Sequence, residues 1–256
     1  MASQAIYQFH AELTDYRPKI WRRFEVMQNV SMARLGYIIM TLFEMQASHL
    51  FQFRVPEKSN FRLFYRDRIG FNEDPAWLKR EERWIEESFS DDRVVMEVLT
   101  EESEVLPGQE LVDAAERKLR STLNHPGEEL YFLYDFGDGW EVKLKLESIR
   151  RDPQLPGKDL PRVLEGEGYG IIEDCGGYAG LTELAKAFKR EKGQHYREMK
   201  EWLGVDNLDL AAFDIDDMNL RLKKVPRIYA DIYEYDLEPT RQSMKILQRE
   251  YLKGSR

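Results

Sequence analysis

Two short acidic motifs hold the residues of this chain that are best suited to chemistry. The first is Tyr134-Asp135-Phe136-Gly137-Asp138-Gly139-Trp140, and the second, further along, is Glu173-Asp174-Cys175-Gly176-Gly177. Each combines carboxylates with glycines, which is typical of tight turns that present acidic side chains. Oxygen ligands of this kind suit hard divalent cations. The candidate metal ligands, if there are any, are the four motif carboxylates: Asp135, Asp138, Glu173 and Asp174.

The same carboxylates also have a structural interpretation, and it is the one we favour from the sequence. Asp138 at a turn would accept backbone N–H bonds, and Glu173 and Asp174 would cap the helix that follows. A buried acidic cluster would need a cationic partner. Arg22 and Arg23, on opposite faces of a predicted strand, are the candidates, although either one can instead meet a phosphate.

Nucleophilic chemistry has a weaker basis. Cys175 would need a nearby base and an activating environment, and His49 is the only histidine beside a candidate motif. We interpret Cys175 as a buried thiol and His49 as a half-buried histidine. We expect the motif carboxylates to lie on one side of a sheet, near His49 and one of the two arginines. The full candidate binding cluster is Arg22, Arg23, His49, Asp135, Asp138, Trp140, Glu173, Asp174 and Cys175.

Composition excludes several classes of protein. The 256 residues carry a formal net charge of −9, which opposes non-specific attraction to nucleic acid or to an anionic membrane. The single cysteine excludes an internal disulfide, and neither Cys-x-x-Cys nor His-Glu-x-x-His zinc spacing occurs. No segment resembles a signal peptide or a membrane span, so we expect a cytoplasmic protein that does not bind membranes.

Apolar periodicity predicts the elements that position the motifs. Alternation predicts an N-terminal hairpin of two strands, followed by a helix over residues 31–45 with Ser31 as its N-cap. Strands are predicted at 49–55, 61–66 and 94–99, and helices from 75 to 88, from 110 to 123, after 177, and around 196–202 up to Gly204. The segment 151–170 is predicted to be irregular. Asp138-Gly139 between two apolar runs predicts a tight hairpin turn.

The C-terminal segment has a periodicity of its own. A last helix is predicted from residue 239 to about 253, with Met244, Leu247 and Tyr251 as its apolar positions. A basic stripe recurs every four residues beside them. It either complements an acidic body or contacts a partner through four cations: Arg241, Lys245, Arg249 and Lys253.

Six segments in order resemble the plasmid pRiA4b ORF-3-like family. Besides the two acidic motifs, they are Ile20-Trp21-Arg22-Arg23, Ser48-His49-Leu50 with Phe53, Trp202-Leu203-Gly204, and Phe213-Asp214. The resemblance implies a compact α+β protein with a rolled antiparallel sheet. It also implies an association with plasmid and transposon genes, where some members carry a resolvase-like label.

The chain departs from the family pattern at several positions. The family commonly has histidines where this chain has Gly36 and Phe51, and two prolines where it has Ile171 and Ile172. If those histidines serve a shared site, this chain has lost much of it.

We therefore predict an α+β fold, a rolled, mostly antiparallel sheet with packed helices, as a single domain with a charged insertion. Residues 1–225 would form the domain, with the insertion at about 67–129, and 226–256 a C-terminal extension with a basic amphipathic helix. We favour a non-catalytic binding or interaction protein without a cofactor. The alternatives are a metal-dependent hydrolase of phosphate esters or nucleic acid, with a divalent metal, and a nucleic-acid-binding protein that uses Arg22, Arg23 and the basic tail.

Overall fold

The computed structural model describes residues 4–69, 75–91, 93–101 and 103–252. Eight strands and eight α-helices lie in these ranges. In chain order they are β1 (Ala5–Leu13), β2 (Trp21–Met27), α1 (Met32–Leu42), β3 (Phe51–Arg54), α2 (Glu57–Ile69), α3 (Pro75–Ser88), β4 (Val94–Glu97), β5 (Glu110–Asp113), β6 (Glu129–Tyr134), β7 (Trp140–Arg151), β8 (Arg162–Glu167), α4 (Gly177–Arg190), α5 (Gln194–Leu203), α6 (Ile215–Leu222), α7 (Val225–Tyr235) and α8 (Arg241–Leu247).

All eight strands belong to one open sheet in the order β5-β4-β3-β6-β7-β1-β2-β8. Neighbouring strands are antiparallel except β4 and β5, which pair in parallel. The predicted α+β class with a mostly antiparallel sheet in a single domain is confirmed. Strand β4 and its neighbour β5, from the predicted charged insertion, extend this same sheet.

Helix α1 lies at the centre of the core. Ser31 caps it by accepting a bond from the Arg34 backbone N–H, as predicted, and every residue of the helix except Arg34 is buried. Helices α6 and α7 contact α1. Because α1 is almost entirely buried, the loop that leaves its C-terminus begins in a packed environment at the buried Phe43.

The predicted strand at 61–66 is wrong, because these residues belong to helix α2. Phe61 stacks on Phe89 at 4.4 Å between ring centroids, and it also contacts Trp84 of α3. Arg62 forms ion pairs with α3 glutamates. Packing of α2 against α3 therefore overrides the strand prediction for this segment.

The predicted helix at 110–123 is also wrong, since residues 110–113 form strand β5 and only 119–121 form a 3-10 turn. Val112 lies opposite Met96 of β4 in the parallel ladder, so pairing with the sheet overrides the helical spacing. Strand β8 lies within the segment predicted to be irregular and pairs with β2.

The C-terminal segment packs on the body of the protein. Helix α7, which was not predicted, contributes Val225 and Tyr229 to the core. Helix α8 is shorter than the predicted helix, and a 3-10 turn follows it at 250–252. Lys253 lies outside the described residues. The division of the chain at residue 225 stays a prediction.

None of the described helices is both long enough and apolar enough to cross a membrane.

The positive φ of Gly139, in the loop between β6 and β7, can be tested by substitution. Gly139 has φ +68°, and a Cβ built there meets no atom within 4 Å. We expect Gly139→Val to lower the free energy of unfolding by about 1 kcal/mol or more, because a β-branched residue is strained at positive φ. Gly139→Asn is the matched control and should cost much less, since asparagine tolerates this region. Equal denaturant midpoints for both variants would contradict the assignment.

Candidate functional site

The first acidic motif forms the five-residue loop that joins β6 to β7. The Gly139 N–H donates to the Asp135 carbonyl at 2.7 Å. Asp135, at φ +54°, accepts the Gly137 and Asp138 backbone N–H groups on Oδ1, at 3.0 and 3.3 Å. The role predicted for Asp138 thus belongs to Asp135, whose second oxygen, Oδ2, is turned toward His49.

His49 lies in the loop between α1 and β3 and is held at its backbone and its ring. The Tyr233 hydroxyl of α7 donates to the His49 carbonyl, and the imidazole packs edge-on against Tyr134 with 5.7 Å between ring centroids. Its Nε2 lies 3.5 Å from Asp135 Oδ2 and 3.5 Å from Asp174 Oδ1. This nitrogen is buried and has no hydrogen-bond partner among the described residues.

Asp174 supplies the third group from the second motif. Its backbone is at φ +58° and its side chain is 73% exposed, so the cluster opens to solvent on this side. The expectation that Glu173 and Asp174 cap the next helix is wrong, because α4 begins after Gly176 without a side-chain cap. Asp174 instead faces His49.

Glu173 has a positioning role. One carboxylate oxygen accepts the Gln46 backbone N–H and the Tyr134 hydroxyl, and the other accepts the Ser48 hydroxyl. Burial and the Glu173 carboxylate raise the pKa of Tyr134 above its usual range, so the hydroxyl stays protonated and donates. Through these hydrogen bonds, the carboxylate of Glu173 ties the loop of His49 to the segment that carries Asp174.

The spacing of the three side chains suits a metal ion. Nε2 of His49, one Asp135 oxygen and one Asp174 oxygen lie within 4.8 Å of one another. Ligands bound to zinc at roughly 2.1 Å in a tetrahedral site lie about 3.4 Å apart. The two 3.5 Å separations from Nε2 therefore match neighbouring positions around one ion.

Arg22 lies apart from the acidic cluster, in contrast to the expectation that it would bridge the motif carboxylates. It is fully buried, and all five of its N–H groups donate to main-chain carbonyls at 2.7 to 3.0 Å. The acceptors belong to Trp21, Leu42, Glu167, Gly168 and Tyr169. Burial lowers the pKa of Arg22 to about 9.

These bonds hold the starts of both loops that lead to the site. Leu42 is the last residue of α1, ahead of His49, and residues 167–169 begin the connection to Asp174. The two loop segments stay in contact beyond Arg22, because the Ile171 N–H donates to the Phe43 carbonyl at 2.9 Å. Gly170 permits this approach, since a Cβ there would lie 2.5 Å from the Phe43 oxygen.

Two of the other predicted cations, Arg23 and Arg249, form ion pairs away from the acidic motifs. Arg23 pairs with Glu147 and Glu165. Arg249 of the basic tail pairs with Glu44 and Asp217 of the body. Arg241 and Lys245 are exposed.

Asp138, Trp140 and Cys175 adjoin the cluster. Burial, and then the Asp138 carboxylate, raise the pKa of the Cys175 thiol to about 11, so it is protonated at neutral pH and a poor nucleophile. Trp140 is fully buried and packs on Tyr178. Oδ2 of Asp138 is buried without a hydrogen-bond partner in the described part of the chain.

Sequence reasoning missed two tyrosines that shape the site. Tyr134 ends the inward-facing alternation of β6, and a buried tyrosine hydroxyl needs a partner, which was an available signal. Tyr233 belongs to a helix that was not predicted. Ser48 was identified only as part of the family pattern.

Gly36 and Phe51, at which the sequence was expected to depart from the family pattern, contact each other. A Cβ at Gly36 would lie 2.7 Å from the Phe51 ring, which therefore lies directly over the glycine. Phe51 also packs against Tyr37 and Tyr233.

Comparisons with known proteins place the chain among relatives without an established activity. The family model described as plasmid pRiA4b ORF-3-like protein matches residues 5–221. The chain is 26% identical over 216 residues to the uncharacterized protein y4hQ of Sinorhizobium fredii strain NGR234, covering 84% of this chain and 89% of that protein. Its fold resembles the crystal structure of MM3350, a protein of unknown function from Methanosarcina mazei Go1. The TM-score is 0.59 at 24% identity, covering 84% of this chain and 98% of the other.

The contribution of the buried Arg22 guanidinium to stability can be tested by the same substitution at Arg22 and at the neighbouring Arg23. We expect Arg22→Met to lower the free energy of unfolding by about 3 kcal/mol or more, because five carbonyls lose their donor. Arg23→Met removes only partly exposed ion pairs and should cost about 1 kcal/mol or less. Urea denaturation of both variants measures the difference. Equal losses of stability would contradict the role assigned to Arg22.

Proposed function

This chain belongs to the plasmid pRiA4b ORF-3-like family, and we propose that it binds a divalent transition-metal ion through His49, Asp135 and Asp174. The observation that carries the proposal is the buried Nε2 of His49. It lies 3.5 Å from an oxygen of each aspartate and bonds to neither. A metal ion between the three atoms would satisfy this nitrogen and both carboxylate oxygens at once.

The groups around the ligands support the proposal. The Asp135 oxygen that faces away from the cluster accepts two backbone N–H groups, so the other oxygen is held toward His49. The backbone of His49 is fixed by the Tyr233 hydroxyl. Glu173 fixes the loop before His49 and is itself the residue before Asp174. Outer hydrogen bonds of this kind orient metal ligands in known sites.

The donor set favours particular metals. One imidazole nitrogen and two carboxylate oxygens suit zinc, manganese or iron, whereas magnesium favours oxygen ligands and retains its waters. Of the predicted ligands, only Asp135 and Asp174 belong to this set. Glu173 is not a ligand in this proposal, because both of its oxygens already accept hydrogen bonds. His49 supplies the third ligand instead.

Titration calorimetry on matched variants tests the metal site. We expect Zn²⁺ or Mn²⁺ to bind the wild type with one site per chain, and His49→Ala and Asp174→Asn to weaken binding at least about tenfold. His195→Ala and Asp216→Asn are controls, since both side chains are exposed and outside the cluster. Asp174→Asn should change stability by less than about 1 kcal/mol, because the side chain is mostly exposed. A variant that loses stability while wild type binds no metal would instead make the cluster a structural one.

A metal-dependent hydrolase is the second candidate function. Three protein ligands leave coordination positions for water or a substrate, as in catalytic zinc sites. The exposed Asp174 side chain marks a side from which a substrate can approach. The protonated thiol of Cys175 makes metal-activated water the better nucleophile at this site.

A phosphodiester substrate separates catalysis from binding. If the chain is a hydrolase, the metal-loaded protein cleaves bis(nitrophenyl) phosphate, and His49→Ala lowers the rate at least about a hundredfold while His195→Ala leaves it unchanged. Metal binding without turnover on this diester, or on the corresponding monoester and carboxylic ester, would leave the binding function as the supported one.

The nucleic-acid-binding alternative has the least geometric support. Arg22 has no exposed surface, and the guanidinium of Arg23 bonds to two glutamates. Within the basic tail, Arg249 is held by Glu44 and Asp217. These are three of the cations on which that alternative depended; Arg241 and Lys245 are exposed, and Lys253 lies outside the described residues.

A further inference from the structure

A cavity of about 430 Å³ lies between helix α8 and the α6–α7 junction, away from the proposed metal site. Its walls combine cations with apolar surface. They include Leu220, Arg221, Lys224, Lys245, Ile246 and Tyr251.

Charge is unbalanced in this cavity. Three cations, Arg221, Lys224 and Lys245, line it with a single carboxylate, that of Glu250. The protein as a whole has a net charge of −9, so a cationic pocket stands out against the rest of the molecule. Such a pocket attracts anions from solution.

Arg221 is the feature that points to a ligand. The residue is 3% exposed, and its Nη1 donates to the carbonyls of Ile246 and Leu247 at 3.1 and 3.3 Å. Its Nη2 is 3.8 Å from the Glu44 carboxylate, too far for a hydrogen bond. Its Nε is buried and finds no hydrogen-bond partner among the described residues.

A buried guanidinium with an unused donor is costly unless an acceptor reaches it. Glu44 is a poor acceptor for Arg221, because both of its carboxylate oxygens already accept from Arg249, at 2.6 and 2.9 Å. The Tyr251 hydroxyl, which also lines the cavity, donates to Asp217 at 2.6 Å, and its oxygen interacts with the Arg221 side chain as well. Of the Arg221 donors, Nε is therefore the one left without an acceptor among the described residues.

We propose that this cavity binds an amphipathic anion, with its acidic group on Arg221, Lys224 and Lys245 and its apolar part against Leu220, Ile246 and Tyr251. A sulfonate, carboxylate or phosphate accepts from a guanidinium and from ammonium groups together. The apolar walls add affinity for a hydrocarbon or aromatic portion. The basic stripe of the tail gains a function in this way, since Lys245 faces a ligand while Arg249 attaches the segment to the body.

Two probes with similar rings test the charge requirement. Anilinonaphthalene sulfonate carries an anion, and N-phenylnaphthylamine does not. We expect the sulfonate to bind the folded full-length protein at one site, detected by its fluorescence, and the neutral probe to bind at least about tenfold more weakly. Equal affinity for the two probes would overturn the proposal.

Matched lysine variants locate the site. Lys224→Gln combined with Lys245→Gln changes two exposed side chains, so the fold is retained, and it should weaken sulfonate binding at least about tenfold. The control combines Lys223→Gln with Arg241→Gln, which removes the same charge from neighbouring positions outside the cavity lining. Unchanged binding in the first variant, or an equal loss in the control, would refute the assignment.

Vesicles distinguish a free amphiphile from a lipid. If the anion is a lipid head group, the protein sediments with phosphatidylglycerol vesicles and not with phosphatidylcholine vesicles, and the Lys224/Lys245 variant stays in solution. If the natural ligand is a free amphiphile, decanoate displaces the sulfonate probe and no vesicle is bound. Failure of both decanoate and phosphatidylglycerol vesicles to compete with the probe would overturn the proposal. Neither result depends on metal binding at His49.

Discussion

The five hydrogen bonds of Arg22 are the constraint on which the rest of the site depends. A guanidinium with no exposed surface can remain charged inside a protein only if its donors are satisfied. Here the acceptors are carbonyls from three places: strand β2 itself, the end of helix α1, and the chain that leaves β8. One side chain thus determines how the central helix meets the edge of the sheet. Phe213, whose ring centroid lies 4.0 Å from the guanidinium carbon, closes one side of its environment.

From that point the loop of residues 43–49 is fixed by groups from several elements. The Phe43 carbonyl accepts from Ile171, Glu44 binds Arg249, and the Met45 carbonyl accepts from Tyr229. Glu173 and Tyr233 then fix the remainder of the loop up to His49, as described above. An imidazole at the end of such a loop is preorganised, because the entropy of ordering it is already included in folding. This explains how loops, rather than helices or strands, can hold three potential ligands at a defined spacing.

The parts of the fold that sequence reasoning identified are those determined locally. The β6–β7 hairpin follows from its alternation and from Gly139, and α1 follows from Ser31 and a helical spacing of apolar residues. The predictions for 61–66 and 110–123 were wrong because the structure of these segments depends on pairing with other elements, α3 and β4. The acidic motifs and His49 were expected to lie near one another, but His49 was interpreted as a half-buried histidine and was not among the predicted ligands. The role of Arg22 was not predictable either, because its acceptors are main-chain carbonyls, which every residue type has.

The contact between Gly36 and Phe51 couples the residue types that the two positions can hold. The aromatic ring occupies the volume that any side chain at position 36 would need, with 2.7 Å between a built Cβ and the ring. A substitution at either position alone therefore produces a clash or a void in the core. The two positions share one volume, so a larger residue at position 36 requires a smaller one at position 51 for the core to stay filled without a clash.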